Sequence, residues 1–455
     1  MAAALVLGLS VGSFRSTQGL ADAGQNWPSL QGGAEHAGAA PGAPAPPLKV
    51  AWRSAPAGDG RLSSVAVVPG LAVATGRARV VGLDPVTGTV LWTVPRADGP
   101  LGTPAVDTAI GTHGVVVFTE GDVAAKSAVA ALDPSTQDRI WTTPVSDVVI
   151  GSPTLVSGTV YLGARDRSVY AIDAASGKVR WKRITSGSVN TSPAVSGALV
   201  FVTSQDEQTG KARLAALDVS TGRSRWSYSP TRLALRISSP TVGGDRVYVG
   251  FNDQSVRAFS LSDGRLLWSE AVRASFSPLS TLAFAGGSVY VVDNLGGVYR
   301  FEAGTGHRVW DYQFPADVTW GSPLVAGRAV YVGMDDGTVA ALDSGTGHLV
   351  WQRSLPWGPI GAFAPTGDLL LVPAIGRRGG IVAFAKDPSG VLIDQTSPTK
   401  LDLVAALANF SGAFLIMTAL VLGLFRLLSR RAGPPGPTGG DGALGSVGLD
   451  EEVDT

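Results

Sequence analysis

Between residues 48 and 392 the chain alternates short apolar runs with tight clusters of Gly, Asp, Ser, Thr and Pro. Runs such as VYLGA (160–164), VYVGF (247–251) and VYVGM (330–334) are brief and rich in β-branched and aromatic residues, which predicts strands and no long helices. Polar turns follow them, as at Arg165-Asp166-Arg167, Asn252-Asp253 and Asp335-Asp336-Gly337. A second signature precedes them: a small residue, Ser or Thr, then Pro, then an apolar strand. It recurs at Pro104, Pro153, Pro193, Pro240, Pro278 and Pro323.

A third signature sets the phase. Seven segments align without gaps on a tryptophan, at Trp92, Trp141, Trp181, Trp226, Trp268, Trp310 and Trp351. Eight positions before it stand Asp84, Asp133, Asp173, Asp218 and Asp343, with Ser260 and Glu302 in the other two segments. Four positions before it stand Gly88, Gly177, Gly222, Gly264, Gly306 and Gly347, with Gln137 the exception. This is hairpin chemistry. The Asp carboxylate accepts backbone N–H groups of the turn, the Gly takes the positive φ, and the next strand carries Trp outward. Gln137 at the glycine position should cost roughly 1 kcal/mol, because a Cβ disfavours the left-handed conformation. Each unit therefore reads as four short antiparallel strands, one blade of a propeller.

The tryptophan spacings from Trp92 onward are 49, 40, 45, 42, 42 and 41 residues. Forty residues before Trp92 lies Trp52, ending a strand with no hairpin before it, while three strands after Trp351 lack a closing tryptophan. Pairing the orphan first strand with the last three gives eight blades and a closed ring, and closure leaves few free sheet edges. The expected fold is all-β: an eight-bladed propeller with its N-terminal strand completing the last blade. Trp52, Trp92, Trp141, Trp181, Trp226, Trp268, Trp310 and Trp351 are expected to dock neighbouring blades.

The repeat Ala-x-Asp-x-x-Thr-Gly-x-x-x-Trp resembles that of pyrroloquinoline quinone (PQQ)-like propellers, over about residues 25–390. The opening NWPSLQGGAEHAG (Trp27 to Gly38) resembles the lead-in of many such chains. The resemblance implies two alternatives. One is a PQQ-dependent dehydrogenase, the other a non-enzymatic scaffold like the propeller lipoprotein of the β-barrel assembly machinery.

The ends add a membrane expectation. Val404 to Phe425 holds 22 residues without a charge, roughly 33 Å as a helix and enough to cross a bilayer core. Arg426, Arg430 and Arg431 follow, which places the C-terminus in the cytoplasm by the positive-inside rule. An apolar run of 11 residues near the N-terminus reads as a signal-peptide core, with Ala21-Asp22-Ala23 as its cleavage site. The expected organisation is a signal peptide (1–23), a lead-in (24–47), the propeller (48–392), a linker (393–402), a transmembrane helix (403–428) and a disordered cytoplasmic tail (429–455). The expected location is the cytoplasmic membrane, single-pass, with the propeller outside.

Charge and chemistry narrow the function. Lys+Arg equals Asp+Glu at 36 each, so no polyanion-binding excess exists and no nucleic-acid partner is expected. Cysteine is absent, which removes thiolate metal sites and the vicinal Cys pair common in PQQ dehydrogenases. The turn Asp residues are committed to hairpins, and His36, His113, His307 and His348 are scattered, so neither a metal nor a cofactor site is predicted; PQQ remains the alternative ligand. What stands out is the face where the inner strands begin. There Trp320 and Trp357 fall outside the docking register, with Arg236, Arg273 and Asn190 in the same inter-blade segments. Two readings of the tryptophans stay open: filling beneath loops, or anchors for an envelope protein.

Overall fold

A computed structural model of the chain describes residues 26–54, 62–121, 127–206, 208–231, 234, 236–273, 281–319, 321–376 and 379–393. These residues form eight four-stranded antiparallel sheets, each built from strands consecutive in the chain except the last. We number the blades 1 (66–95), 2 (105–144), 3 (154–184), 4 (194–228), 5 (241–271), 6 (283–313), 7 (324–354) and 8 (364–386 with Leu48–Ser54). First strands of successive blades from 1 to 7 lie side by side, and that of blade 1 also lies beside that of blade 8. The ring is closed as expected: Leu48–Ser54 runs antiparallel to Gly380–Lys386, from Leu48 opposite Lys386 to Ser54 opposite Ile381.

Burial explains the hydrophobic pattern. Second strands such as Val115–Glu120 and Thr159–Ala164 are buried along their whole length, because neighbouring blades cover both faces. Fourth strands, at the rim, are largely exposed, as in Val90–Pro95 and Val179–Ile184.

The hairpin logic holds in detail. Asp84 Oδ1 accepts the N–H groups of Val86 and Thr87, and Asp343 Oδ1 those of Gly345 and Thr346, all at 2.8–2.9 Å. Arg180 and the Ser176 hydroxyl hold the Asp173 carboxyl down at about 2. The indole N–H groups of Trp141, Trp181, Trp226, Trp268 and Trp310 donate to Ala174, Val219, Leu261, Ala303 and Ser344 carbonyls of the following blade, at 2.8–3.0 Å. Each ring lies over that blade's turn glycine. A Cβ at Gly177, Gly222 or Gly347 would meet the ring at 2.6–2.7 Å. Glycine is thus required twice, for positive φ and for space.

Two seams depart from the rule: Trp351 packs on Phe384 of blade 8, which offers it no turn glycine, and the seam between blades 1 and 2 departs in another way. Gln137 adopts the positive φ of the glycine it replaces, 63°. Its predecessor across the seam, Trp92, instead covers Gly82 of its own blade, the residue paired with it across the sheet. The corresponding partners elsewhere are Ala131, Ala171, Ala216, Ala258 and Ala341, with Arg300 in blade 6. The same seam holds a buried guanidinium. Arg96 donates to the carbonyls of Gly76, Thr119, Gly99 and Pro100, and burial pushes its pKa down to about 10.

The lead-in is a strap across the base of the ring. Carbonyls of Trp27, Pro28, Ala34, Glu35, Ala37 and Gly38 accept the N–H groups of Val67, Val106, Val195, Val242, Phe284 and Val325, at 2.7–2.9 Å. Those six donors are the middle residues of the first strands of blades 1, 2, 4, 5, 6 and 7. His36, fully buried beneath the strap, places Nδ1 at 3.1 Å from the Pro240 carbonyl and Nε2 at 3.4 Å from Thr154 Oγ1. Burial lowers its pKa to about 4.

Two expectations fall outside this description. The signal peptide (1–23) and the apolar segment within 403–428 both lie beyond the described residues. Among the described residues no helix is long and apolar enough to cross a membrane. One phase is corrected. The signature read at Pro278 precedes the first strand of blade 6 by too much, since that strand is Ala283–Ala285. The hydroxyl position of that blade is Thr281, which Leu282 follows in place of proline.

Candidate functional site

Strand order places two sets of loops on one face: the inter-blade segments leading into each first strand, and the hairpins between second and third strands. The strap and the Asp-Gly-Trp hairpins lie on the other. The loop face is therefore where the channel mouth is open to approach.

Just inside the mouth runs a belt of hydroxyls. The N–H groups of Thr103, Ser152, Ser192, Thr281 and Ala362 donate to the hydroxyls of Ser152, Ser192, Ser239, Ser322 and Ser64 in adjoining blades, at 2.8–3.0 Å. A backbone donor meeting a side-chain acceptor at each step ties first strands together without apolar contact. It explains why Ser or Thr recurs there.

The predicted binding residues come from separate loops. Asn190 stands two residues before Ser192, half-buried, with its Oδ1 buried and without a hydrogen-bond partner. Arg236 is exposed before blade 5, with its carbonyl accepting the Asn252 N–H. Arg273 is exposed but engaged: Nη2 lies 2.6 Å from Asp311 Oδ2, and Nη1 lies 3.2 Å from Gln313 Oε1 of blade 6. Trp357, before blade 8, is half-buried against core side chains, with the Arg53 guanidinium 5.2 Å from its ring centre. Trp320 lies outside the described residues. Arg273 and Trp357 thus have partners within the ring, whereas Arg236 offers its guanidinium to solvent.

The structure adds a cleft that the sequence reading missed. Between blades 4 and 5 on this face lies a cavity of about 380 Å³, lined by Tyr228, Thr231, Asp253, Gln254, Arg257 and Glu270, among others. Arg257 is its anchor. It pairs with Asp253, its Nε lies 3.4 Å from Ser269 Oγ, and its guanidinium lies 4.3 Å from the Phe251 ring centre. Its Nη1 is buried with no hydrogen-bond partner. Tyr228 backs the cleft, packed on Phe259 with ring centres 4.7 Å apart. Rigid aromatics beside a fixed guanidinium are the groups on which protein interfaces concentrate their energy. The available signal was the pairing of Asp253 with Arg257 four residues on, beside Phe251.

A quinone–calcium centre needs a convergent set of acidic and amide donors. Among the described residues no group of three or more His, Asp or Glu side chains could hold a metal ion. The hydroxyls of Ser64, Ser152, Ser192, Ser239 and Ser322 are already committed to backbone groups. These residues do not fit such a centre.

Ring, belt and strap together define the class: an eight-bladed propeller of PQQ-like repeats with its base strapped by the N-terminal lead-in. The family model described as outer membrane protein assembly factor BamB matches residues 125–281 and 274–397, more than half of the chain. The chain belongs to that family. The outer membrane protein assembly factor BamB of Yersinia pestis is 30% identical over 102 residues, 22% of this chain and 25% of that protein. The match therefore spans about a quarter of the relative's length. Among solved structures, BamB from Moraxella catarrhalis superposes with TM-score 0.59 at 19% identity, covering 74% of this chain and 99% of that one. A europium-containing methanol dehydrogenase superposes with TM-score 0.64 at 15% identity, covering 79% and 98%. The quinohemoprotein alcohol dehydrogenase ADHIIG from Pseudomonas putida HK5 gives 0.65 at 14%, covering 82% of each chain. At such identities the likeness shows the fold, and chemistry must be argued from the site.

Proposed function

We propose that this chain is a membrane-tethered, non-catalytic propeller that binds proteins of the cell envelope on its loop face. Membership of the BamB family over residues 125–397 carries the reading. The channel mouth supports it, because the hydroxyls of Ser64, Ser152, Ser192, Ser239 and Ser322 are spent on holding the ring together. The tether is the apolar segment within 403–428, with the propeller outside the cytoplasmic membrane and Arg426, Arg430 and Arg431 on the cytoplasmic side. Contacts are expected at Trp320, Trp357, Arg236 and the blade 4–5 cleft.

The test uses the full chain in its native membrane. Photocrosslinking from the loop face should recover a defined envelope protein. Alanine at Trp320, Trp357 and Arg236 together should reduce recovery at least about tenfold, a loss of roughly 1.4 kcal/mol, with an unchanged melting temperature. Undiminished recovery from a folded variant refutes the reading. Protease added from outside should cleave the propeller and spare a reporter fused after Thr455; the reverse pattern refutes the topology.

A further inference from the structure

The strap borders a second, open cavity, on the base of the ring opposite the loop face. Its volume is about 290 Å³, and its walls include Trp27, Glu35, Ala37, Ala39 and Pro365. Pro365 occupies in blade 8 the middle position of the first strand, the place from which six other blades donate an N–H to the strap. Proline has no N–H. The strap is therefore not bonded to blade 8 at this position, and the cavity opens beside it.

Peptide planarity dictates what faces the cavity. A trans peptide holds its C=O and N–H in opposite directions. The carbonyls of Ala34 and Gly38 point outward to Val195 and Val325, so the N–H groups of Glu35 and Ala39 point away from the strands. The same geometry turns the N–H of Gly38 inward, and there it is taken by the Gln31 carbonyl at 3.1 Å. Those of Glu35 and Ala39 have no hydrogen-bond partner within the described residues, and both residues line the cavity. Two inward donors without acceptors call for an oxygen atom from outside.

Charge decides which oxygen. No basic side chain lines the cavity, and its one charged lining residue is Glu35, whose carboxylate accepts the Ser196 hydroxyl at 2.7 Å. An anion would meet two N–H dipoles but a carboxylate at the rim. A neutral carbonyl oxygen accepts from such an N–H without that repulsion. Much of the remaining wall is methyl and ring: Ala37, Ala39, Ala40, Trp27 and Pro365. We propose that this cavity binds a neutral ligand through an amide or N-acetyl carbonyl, its methyl packed on the alanines, as in an N-acetylated sugar.

Saturation-transfer NMR on the full-length protein tests this, with N-acetylglucosamine as probe and glucose and acetate as controls. The acetyl methyl should receive the strongest saturation, glucose should receive little, and acetate should not compete. Ala37→Phe, which fills the cavity, should weaken binding at least about tenfold. Ala39→Leu, at a second lining residue, narrows it and decides the matter should the first variant fail to fold. No acetyl signal from the wild type overturns the proposal. So do glucose binding of equal strength, competition by acetate, or undiminished signal in a folded cavity-filling variant.

Discussion

The seam between blades 1 and 2 offers a sharp test of the docking rule. At six other seams a tryptophan, from Trp52 on Gly88 to Trp310 on Gly347, leans on the next blade's glycine; here Gln137 fills that seat and Trp92 leans back over Gly82. The two departures should be energetically coupled. Gly82→Ala places a Cβ inside the Trp92 ring envelope, with no relief across the seam while Gln137 remains, and overpacking of this kind costs about 1–3 kcal/mol. Gln137→Gly removes a left-handed penalty of about 1 kcal/mol. It also loses the Gln137 side-chain bond to the Ser135 carbonyl, so its net effect should be small. With both changes Trp92 can take the seat its counterparts use, and most of the Gly82→Ala cost should vanish. The coupling energy should therefore be at least about 1 kcal/mol, in the stabilising direction. Urea unfolding of the full chain in detergent, followed by tryptophan fluorescence for the wild type, both singles and the double, measures it. If the double equals the sum of the singles within about 0.5 kcal/mol, the two sites are independent and the compensation is wrong.

Other consequences follow from the same structure. Trp181→Ala removes a half-buried ring and its bond to the Val219 carbonyl, and should cost about 3 kcal/mol by denaturant titration. Arg96→Met leaves four carbonyls without their donor and should cost about 3–5 kcal/mol, with proteolysis rising first near blades 1 and 2. His36 is buried neutral, with its pKa lowered from 6.5 to about 4, so the unfolded chain binds the extra proton between those values. Stability should fall as pH drops from 6.5 to 4, by up to roughly 3 kcal/mol, and His36→Asn should flatten that part of the pH–melting curve. Because the channel mouth does not fit a quinone–metal centre, adding PQQ and calcium should leave tryptophan fluorescence unchanged and yield no dye-linked alcohol oxidation; activity saturating in PQQ would overturn the non-catalytic reading.

What was legible in the sequence is what repeats. Asp, Gly and Trp hold fixed offsets because one hairpin must bond its own turn, take a positive φ and seat a ring in every blade. The phase error at Pro278 shows the limit. The constraint is a backbone N–H that reaches the next blade's hydroxyl, and Thr281 makes that bond, to Ser322 Oγ, without the proline that usually marks the position. The Gly82 signal was readable too, since alanine stands ten residues before most docking tryptophans and glycine does so before Trp92. The strap's route was not readable. It binds through main-chain carbonyls, which any residue supplies. Nor could sequence pair Arg53 with Trp357, or Arg273 with Asp311, because those contacts cross blade boundaries.

The N-terminal stretch has more structural consequence than its length suggests. Residues 26–40 bond to first strands in six blades, and residues 48–54 complete the eighth. Gln31 reaches the Pro323 carbonyl and Tyr331 reaches that of Pro44, so the lead-in is bonded to blade 7 as well as to blade 1. A ring held at its rim by tryptophans, at its mouth by hydroxyls and at its base by the strap has little freedom to change diameter. On such a body the proposed contacts fall on the parts that closure leaves over: the loops around the mouth, and the strap's own unpaired amides.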